Sequence, residues 1–192
     1  MDFRQLVEDA RTCRRFDETT PLKMADLEWL IDCARLTPSG MNAQKLRFAL
    51  VSNRGVGEKL FCMSRFAAAI KDGTPKEGER PTSWIVVLLP HDAGELNFYD
   101  AGISCQTIQL AATSRGWGCC IIKSFDAQAA SVLLGIGNDM KPGLVLALGV
   151  AKETRKIAPM PEDGSFKYWR DDKAVHHVPK RSVDELVSVR FV

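Results

Sequence analysis

Three short stretches of this 192-residue chain hold side chains whose type and spacing suit chemistry. The first, "RTCRRF" at 11–16, places Arg11 and Arg15 four positions apart, where helical side chains share a face. Guanidinium groups stay charged and present a fixed fork of donors, which suits phosphate; a solvated helix end shows the same pattern. The second, "VPKRS" at 178–182, stiffens the backbone at Pro179 just before Lys180 and Arg181, and reads as an anion contact or as a surface turn. The third, "TPSGMNAQKLRF" at 37–48, follows the turn residues Pro38, Ser39 and Gly40 with the amides of Asn42 and Gln44. Each amide offers donors and an acceptor, so the pair can read an alternating polar edge on a flat ligand or can cap local backbone groups. Cys119 with Cys120 and His176 with His177 are adjacent pairs that diverge and lack the two-to-four-residue spacer of a zinc site, so no metal is expected. Dinucleotide and nucleotide-triphosphate loops, a Ser-His-Asp order and a paired-carboxylate signature are all missing, and no residue is assigned as a general acid or base.

The elements that must position these stretches follow from periodicity. Apolar residues Leu27, Leu30, Ile31 and Ala34 recur at helical spacing over 24–36, and Pro38 stops the pattern. A strand is predicted at "RFALVS", a helix at "VGEKLFCMSRF", a loop at 71–81 and a buried strand at "TSWIVVLL". A long helix with few charges spans 99–115, and its apolar character calls for cover on two sides. "CCIIKSF" and "LVLALGVA" supply further strands around the helical "DAQAASVLLG". Strands alternating with helices predict an α/β or α+β sandwich. Beyond Ala151 the chain turns polar, with one short helical pattern near "VDELV", and is expected to lack a core of its own while Phe166, Tyr168 and Trp169 seek apolar surface.

At 45% hydrophobic content the chain can bury a substantial core, and its length suits one domain. A formal charge of +2, with both signs interspersed, gives no broad attraction for nucleic acid or membrane. The charged start and the short apolar runs predict a soluble, cytoplasmic protein, and six cysteines without a C-x-x-C pair predict reduced thiols.

"RTCRRF", "TPSGMNAQ", "GWGCCIIKSFD", "LVLALGVAKE" and "VPKRSVDEL" occur in the order and at intervals that resemble the nitroreductase family of FMN-dependent oxidoreductases. The resemblance implies an α+β fold, an α/β sandwich with a central, mostly antiparallel sheet flanked by helices. It implies a single domain over 1–192, with residues 152–192 wrapping the body or exchanged with a partner in a homodimer. It assigns Arg11, Thr12, Cys13 and Arg15 to the FMN phosphate and ribityl chain, with Lys180 and Arg181 meeting the same phosphate. Pro38, Ser39, Gly40, Asn42 and Gln44 would come from the other subunit against the flavin ring, and Ile121, Ile122, Lys123 and Ser124 would lie beside the ring near N5. Arg15 would stabilise the reduced flavin. Three residues depart from the family pattern: Cys13 for a serine, Lys45 for a proline and Lys123 for an acidic residue. The implied activity is transfer of hydride from NADH or NADPH through flavin N5 to a small electron-poor acceptor, a nitroaromatic or quinone, by a ping-pong mechanism. Dehalogenating or flavin-fragmenting relatives and a non-catalytic flavin-binding dimer are the alternatives.

Overall fold

Side chains of a strand alternate in direction, and in "SWIVVLLP" both directions are apolar, so this segment must lie between two cores. It does. The computed structural model describes residues 1–67, 70 and 73–192, and in it the segment forms strand β3, Ser83–Pro90, of a five-stranded sheet. On one side β3 pairs with β2, Arg47–Val51, and on the other with the long β5, Met140–Ala151. Strand β4, Trp117–Ile122, pairs along the far edge of β5, and the two-residue β1, Phe16–Asp17, joins its end. Every pairing in this sheet is antiparallel, as the expected fold required.

Ile85, Val87, Leu146, Leu148 and Cys119 face one core, beneath helices α2, Met24–Ala34, and α4, Glu95–Ser114. Trp84, Val86, Val145, Ala147 and Cys120 face the other, which α3, Arg54–Met63, and α5, Ala127–Leu134, cover. The result is a helix–sheet–helix sandwich. The adjacent Cys119 and Cys120 thus belong to opposite faces, and with Cys13 and Cys105 they are buried free thiols, whereas Cys62 is exposed and Cys33 half-buried. Among the described residues no helix is long and apolar enough to cross a membrane.

Several boundaries differ from expectation. Helix α4 begins at Glu95, before the predicted start, because the Asn97 side chain accepts from the Gly94 backbone N–H at 3.1 Å and closes the first turn. Strand β5 begins at Met140, extended by pairing with the end of β3. Lys71 and Asp72 of the predicted 71–81 loop lie outside the described residues, and 73–81 contains neither helix nor strand.

Helix α1, Phe3–Asp9, leads into the arginine-rich arm at 11–16, which lies against the sheet where two glycines make room. A Cβ at Gly118 would sit 2.5 Å from the Cys13 sulfur, and one at Gly149 would sit 3.1 Å from Phe16. Backbone contact follows: Cys13 N–H donates to the Cys119 carbonyl at 2.9 Å.

The tail holds more regular structure than the one short helix expected of it, though no tail residue joins either hydrophobic core. Strand β6, Arg155–Pro159, runs parallel to β8, His176–Lys180, and β7, Trp169–Arg170, pairs antiparallel with β8. This small sheet shelters Glu153, Ala158 and His176. Helix α6, Val183–Leu186, follows, capped by Ser182 and Glu185. Phe166 remains largely exposed.

Candidate functional site

The arm, α4 and the tail sheet enclose a cavity of about 300 Å³. Arg11, Thr12 and Arg14 enter it from the arm, Gln106 and Gln109 from α4, and Tyr168, His176 and Lys180 from the tail. Residues more than 160 positions apart in the chain therefore line one space. Its cations are Arg11, Arg14 and Lys180.

Each cation is held differently. Arg11 donates from Nη2 to the Val7 carbonyl at 2.7 Å, while its Nε is buried without a hydrogen-bond partner. Burial, and after it the charge of Arg155, lowers the Arg11 pKa. Arg14 is fixed along its whole length. Its backbone N–H donates to Glu153 Oε2 at 2.9 Å, its Nη1 lies 3.3 Å from His176 Nε2, and its guanidinium sits over the Tyr168 ring, 4.8 Å from the centroid. The Arg14 Nε is also buried without a partner.

Glu153, the carboxylate behind this cavity, is spoken for. Its side chain is fully buried and pairs with Arg170, so it does not cancel the charge of Arg11, Arg14 and Lys180. His176 adds no charge either. Burial is the largest influence on its pKa; Glu153 opposes it, and Arg14, Arg170 and His177 reinforce it, bringing the ring down to about 4. A guanidinium only donates, so Nε2 of His176 must accept from Arg14 and the ring proton belongs on Nδ1, 3.9 Å from Glu153 Oε1. What remains is an excess of positive charge among hydrogen-bond donors, the setting in which a phosphate binds.

Not every residue of the arm expected at an anion faces this space. Cys13 turns into the core, where its thiol lies 3.2 Å from the Arg15 carbonyl and burial raises its pKa. Arg15 pairs with Glu79 at 3.3 Å and does not line the cavity. The arm is extended rather than helical over 11–15, so Arg11 and Arg15 do not share a face as helical spacing would have them do, and Arg14 lines the cavity in company with Arg11 and Thr12. Arg181 is exposed and outside the lining, whereas Lys180 is part of it.

The crossover residues gather elsewhere. Ser39 and Gln44 line a second space of about 250 Å³ with Arg47, Phe48, Asp100 and Ser104. Gly40 N–H donates to Asp100 Oδ1 at 2.8 Å. Pro38 and Asn42 are exposed. Gln44 caps locally, its Nε2 donating to the Asn42 carbonyl at 3.3 Å and its backbone N–H to Ser39 Oγ at 3.2 Å. Met41, Asn42 and Gln44 all have positive φ, at 55°, 53° and 48°. Non-glycine residues in that region cost about 1–3 kcal/mol each, and such strain concentrates at binding and catalytic loops. Ile121 and Ile122 pack into opposite cores, and Lys123 and Ser124 are exposed beyond the strand end. None of these crossover or strand-end residues reaches the cationic cavity of the same chain.

A family model described as "Nitroreductase family" matches residues 7–151, which takes in the arm, the crossover, α4 and the whole five-stranded sheet. The chain belongs to the nitroreductase family. Two similar proteins are an oxygen-insensitive NADPH nitroreductase of Helicobacter acinonychis (strain Sheeba), 24% identical over 86% of this chain and 95% of that protein, and one of Helicobacter pylori (strain ATCC 700392 / 26695), 24% identical over 80% and 90%. Solved nitroreductase family proteins share the fold. One from Clostridium difficile 630 superposes with a TM-score of 0.67 at 20% identity, covering 100% of both chains. Another from Clostridium novyi NT gives 0.67 at 22%, covering 79% of this chain and 88% of that one. In this nitroreductase-family chain the tail lies beyond the matched residues, yet Tyr168 and the β8 residues His176, Val178 and Lys180 form one wall of the cationic cavity.

No motif assigns Arg14, Gln106, Gln109 or Glu153 to a site, and His176 and Tyr168 stand out in the sequence only as half of an adjacent histidine pair and as an aromatic of the tail. Arg14 carried a signal, since it belongs to "RTCRRF", but its direction depends on the arm being extended. The glutamines were hidden in a helix read as apolar.

Proposed function

We propose that this protein is an FMN-dependent oxidoreductase that takes reducing equivalents from NADH or NADPH and passes them to small electron-poor acceptors such as nitroaromatics and quinones. The observation that carries the reading is the convergence of Arg11, Arg14 and Lys180 on one cavity with two buried, unpartnered Nε atoms. Those donors fit a terminal phosphate, and the Thr12 hydroxyl and the amides of Gln106 and Gln109 suit the phosphate ester and the polyol beside it. Bound FMN supplies the chemistry of accepting and donating hydride. The residues of this chain bind and orient it, and none is assigned to proton transfer.

The reading includes a homodimer. Along α4, Leu96, Tyr99 and Ile103 recur at helical spacing and are 51%, 57% and 41% exposed, while Met41 at the crossover is 92% exposed. An apolar stripe of this kind beside a strained crossover supports a second subunit covering α4, with Ser39, Gly40, Asn42 and Gln44 of each chain meeting the flavin bound by the other.

The test is direct. Purified protein should be yellow, release FMN on denaturation and oxidise NADH or NADPH in the presence of menadione or a nitrofuran. A colourless protein that fails to take up micromolar FMN overturns the reading, and one that binds FMN without oxidising either nucleotide leaves a flavin carrier in its place.

A further inference from the structure

The cationic cavity contains one side chain with no obvious place in an anion site. His176 is almost completely buried, neutral at ordinary pH, and surrounded by Arg14, Arg170 and Glu153. Its Nδ1 has no hydrogen-bond partner among the described residues, whereas its Nε2 lies 3.3 Å from Arg14 Nη1, so the one hydrogen bond the ring makes is to Arg14.

We propose that His176 is a positioning residue for Arg14: its Nε2 accepts from Arg14 Nη1 and so aims the guanidinium into the cavity. This rests on the reading that the cavity takes the FMN phosphate. Three independent contacts point the same way. The Arg14 main chain is tied by Glu153 at 2.9 Å, the plane of its guanidinium is supported by Tyr168, and its Nη1 meets His176 at 3.3 Å. The imidazole also packs against Tyr168 in a tilted arrangement, with ring centroids 5.2 Å apart and the planes at 50°, which restricts its own orientation. The acceptor on His176 takes one Arg14 donor, which leaves the others for a ligand in an arrangement fixed beforehand. A cationic ring in this position would repel Arg14; a neutral ring with its proton on Nδ1 does not. All three contacts come from the segment that contains Glu153, Tyr168 and His176, outside the span matched by the family model. The tail thus serves as the support that gives the arm its anion-binding geometry.

The experiment compares FMN with riboflavin, which lacks the phosphate, on apoprotein titrated by flavin fluorescence. Glutamine presents its side-chain oxygen near the position of Nε2, whereas asparagine is too short to do so. His176→Asn should weaken FMN about tenfold, the equivalent of ~1.4 kcal/mol, and leave riboflavin binding unchanged. His176→Gln should stay close to wild type for both. Equal losses of FMN and riboflavin in His176→Asn would make the role merely structural and overturn the proposal. Arg14→Ala separates the two levels of inference: if it leaves the FMN-to-riboflavin ratio unchanged, the phosphate reading itself fails, while a changed ratio in Arg14→Ala with an unchanged one in His176→Asn rejects only the role of His176. A measurement on wild type needs no variant to fold stably. Long-range proton–nitrogen NMR correlations should show His176 protonated at Nδ1, and protonation at Nε2 would overturn the proposal.

Discussion

At the scale of single residues, the two arginines of the arm that flank Cys13 have separate tasks. Arg11 enters the cationic cavity with a buried, unpartnered Nε, while Arg15 is engaged with Glu79. Arg11→Ala should therefore weaken FMN binding by about 1.5–3 kcal/mol, the range for a hydrogen bond to a charged group. Arg15→Ala should leave FMN affinity unchanged and lower stability by about 1 kcal/mol or less, since its ion pair is partly exposed. Calorimetric titration of both apoproteins with FMN checks the pair, and equal losses would return Arg15 to the binding site. Residue type alone suggested an anion contact for the arginine-rich motif, with a solvated helix end as the alternative. Which of its side chains line the cavity could not be read from type, because that depends on backbone direction. Cys13 illustrates the point: a thiol in a binding motif reads as a weak ligand, yet Gly118 opens a slot that draws it into the core.

At the scale of elements, the long strands and helices were legible because their apolar patterns are long. The segments that became β3 and α2 declared themselves by burial on two faces or one. The tail did not. Strand β7 has two residues, too few for any alternation, and β6 and β8 pair in parallel across an intervening polar stretch. The buried His176 of β8 gives this element a pH signature. Its folded pKa lies near 4, below the ordinary value of 6.5. Between those values the unfolded chain binds the proton and the folded chain does not, so stability is retained above about pH 6.5 and falls as the pH drops toward 4. The slope from this group reaches at most about 1.4 kcal/mol per pH unit. Glu153, Arg14, Arg170 and His177 surround the ring, and His176→Gln removes only its own contribution. Chemical denaturation from pH 7 to pH 4 should show wild type losing more stability than His176→Gln, and parallel curves would mean that His176 titrates freely in the folded protein.

At the scale of the whole molecule, the crossover and the cationic cavity are separate within one chain, and the exposed stripe on α4 is where a second chain would join them. Light scattering should give twice the 21.3 kDa chain mass. Ile103→Arg, which puts a charge into the stripe, should shift the protein toward monomer and reduce its flavin content together. A monomer that keeps its full flavin complement would detach the crossover from the cofactor site. The sandwich also carries its own unfolding reporter. Cys105 and Cys119 lie in the core beneath α4, Cys13 and Cys120 in the core on the opposite side of the sheet. Burial raises Cys105 and Cys120 to about 12 and Cys119 well above its usual range, so these sulfurs are neither accessible nor nucleophilic while the layers stay closed. A maleimide pulse read by mass spectrometry should tag Cys62 at once and the four interior sulfurs only on opening of the molecule. If both layers separate as one cooperative unit, all four acquire their labels with a single time constant; two time constants would divide the sandwich into halves of unequal lifetime.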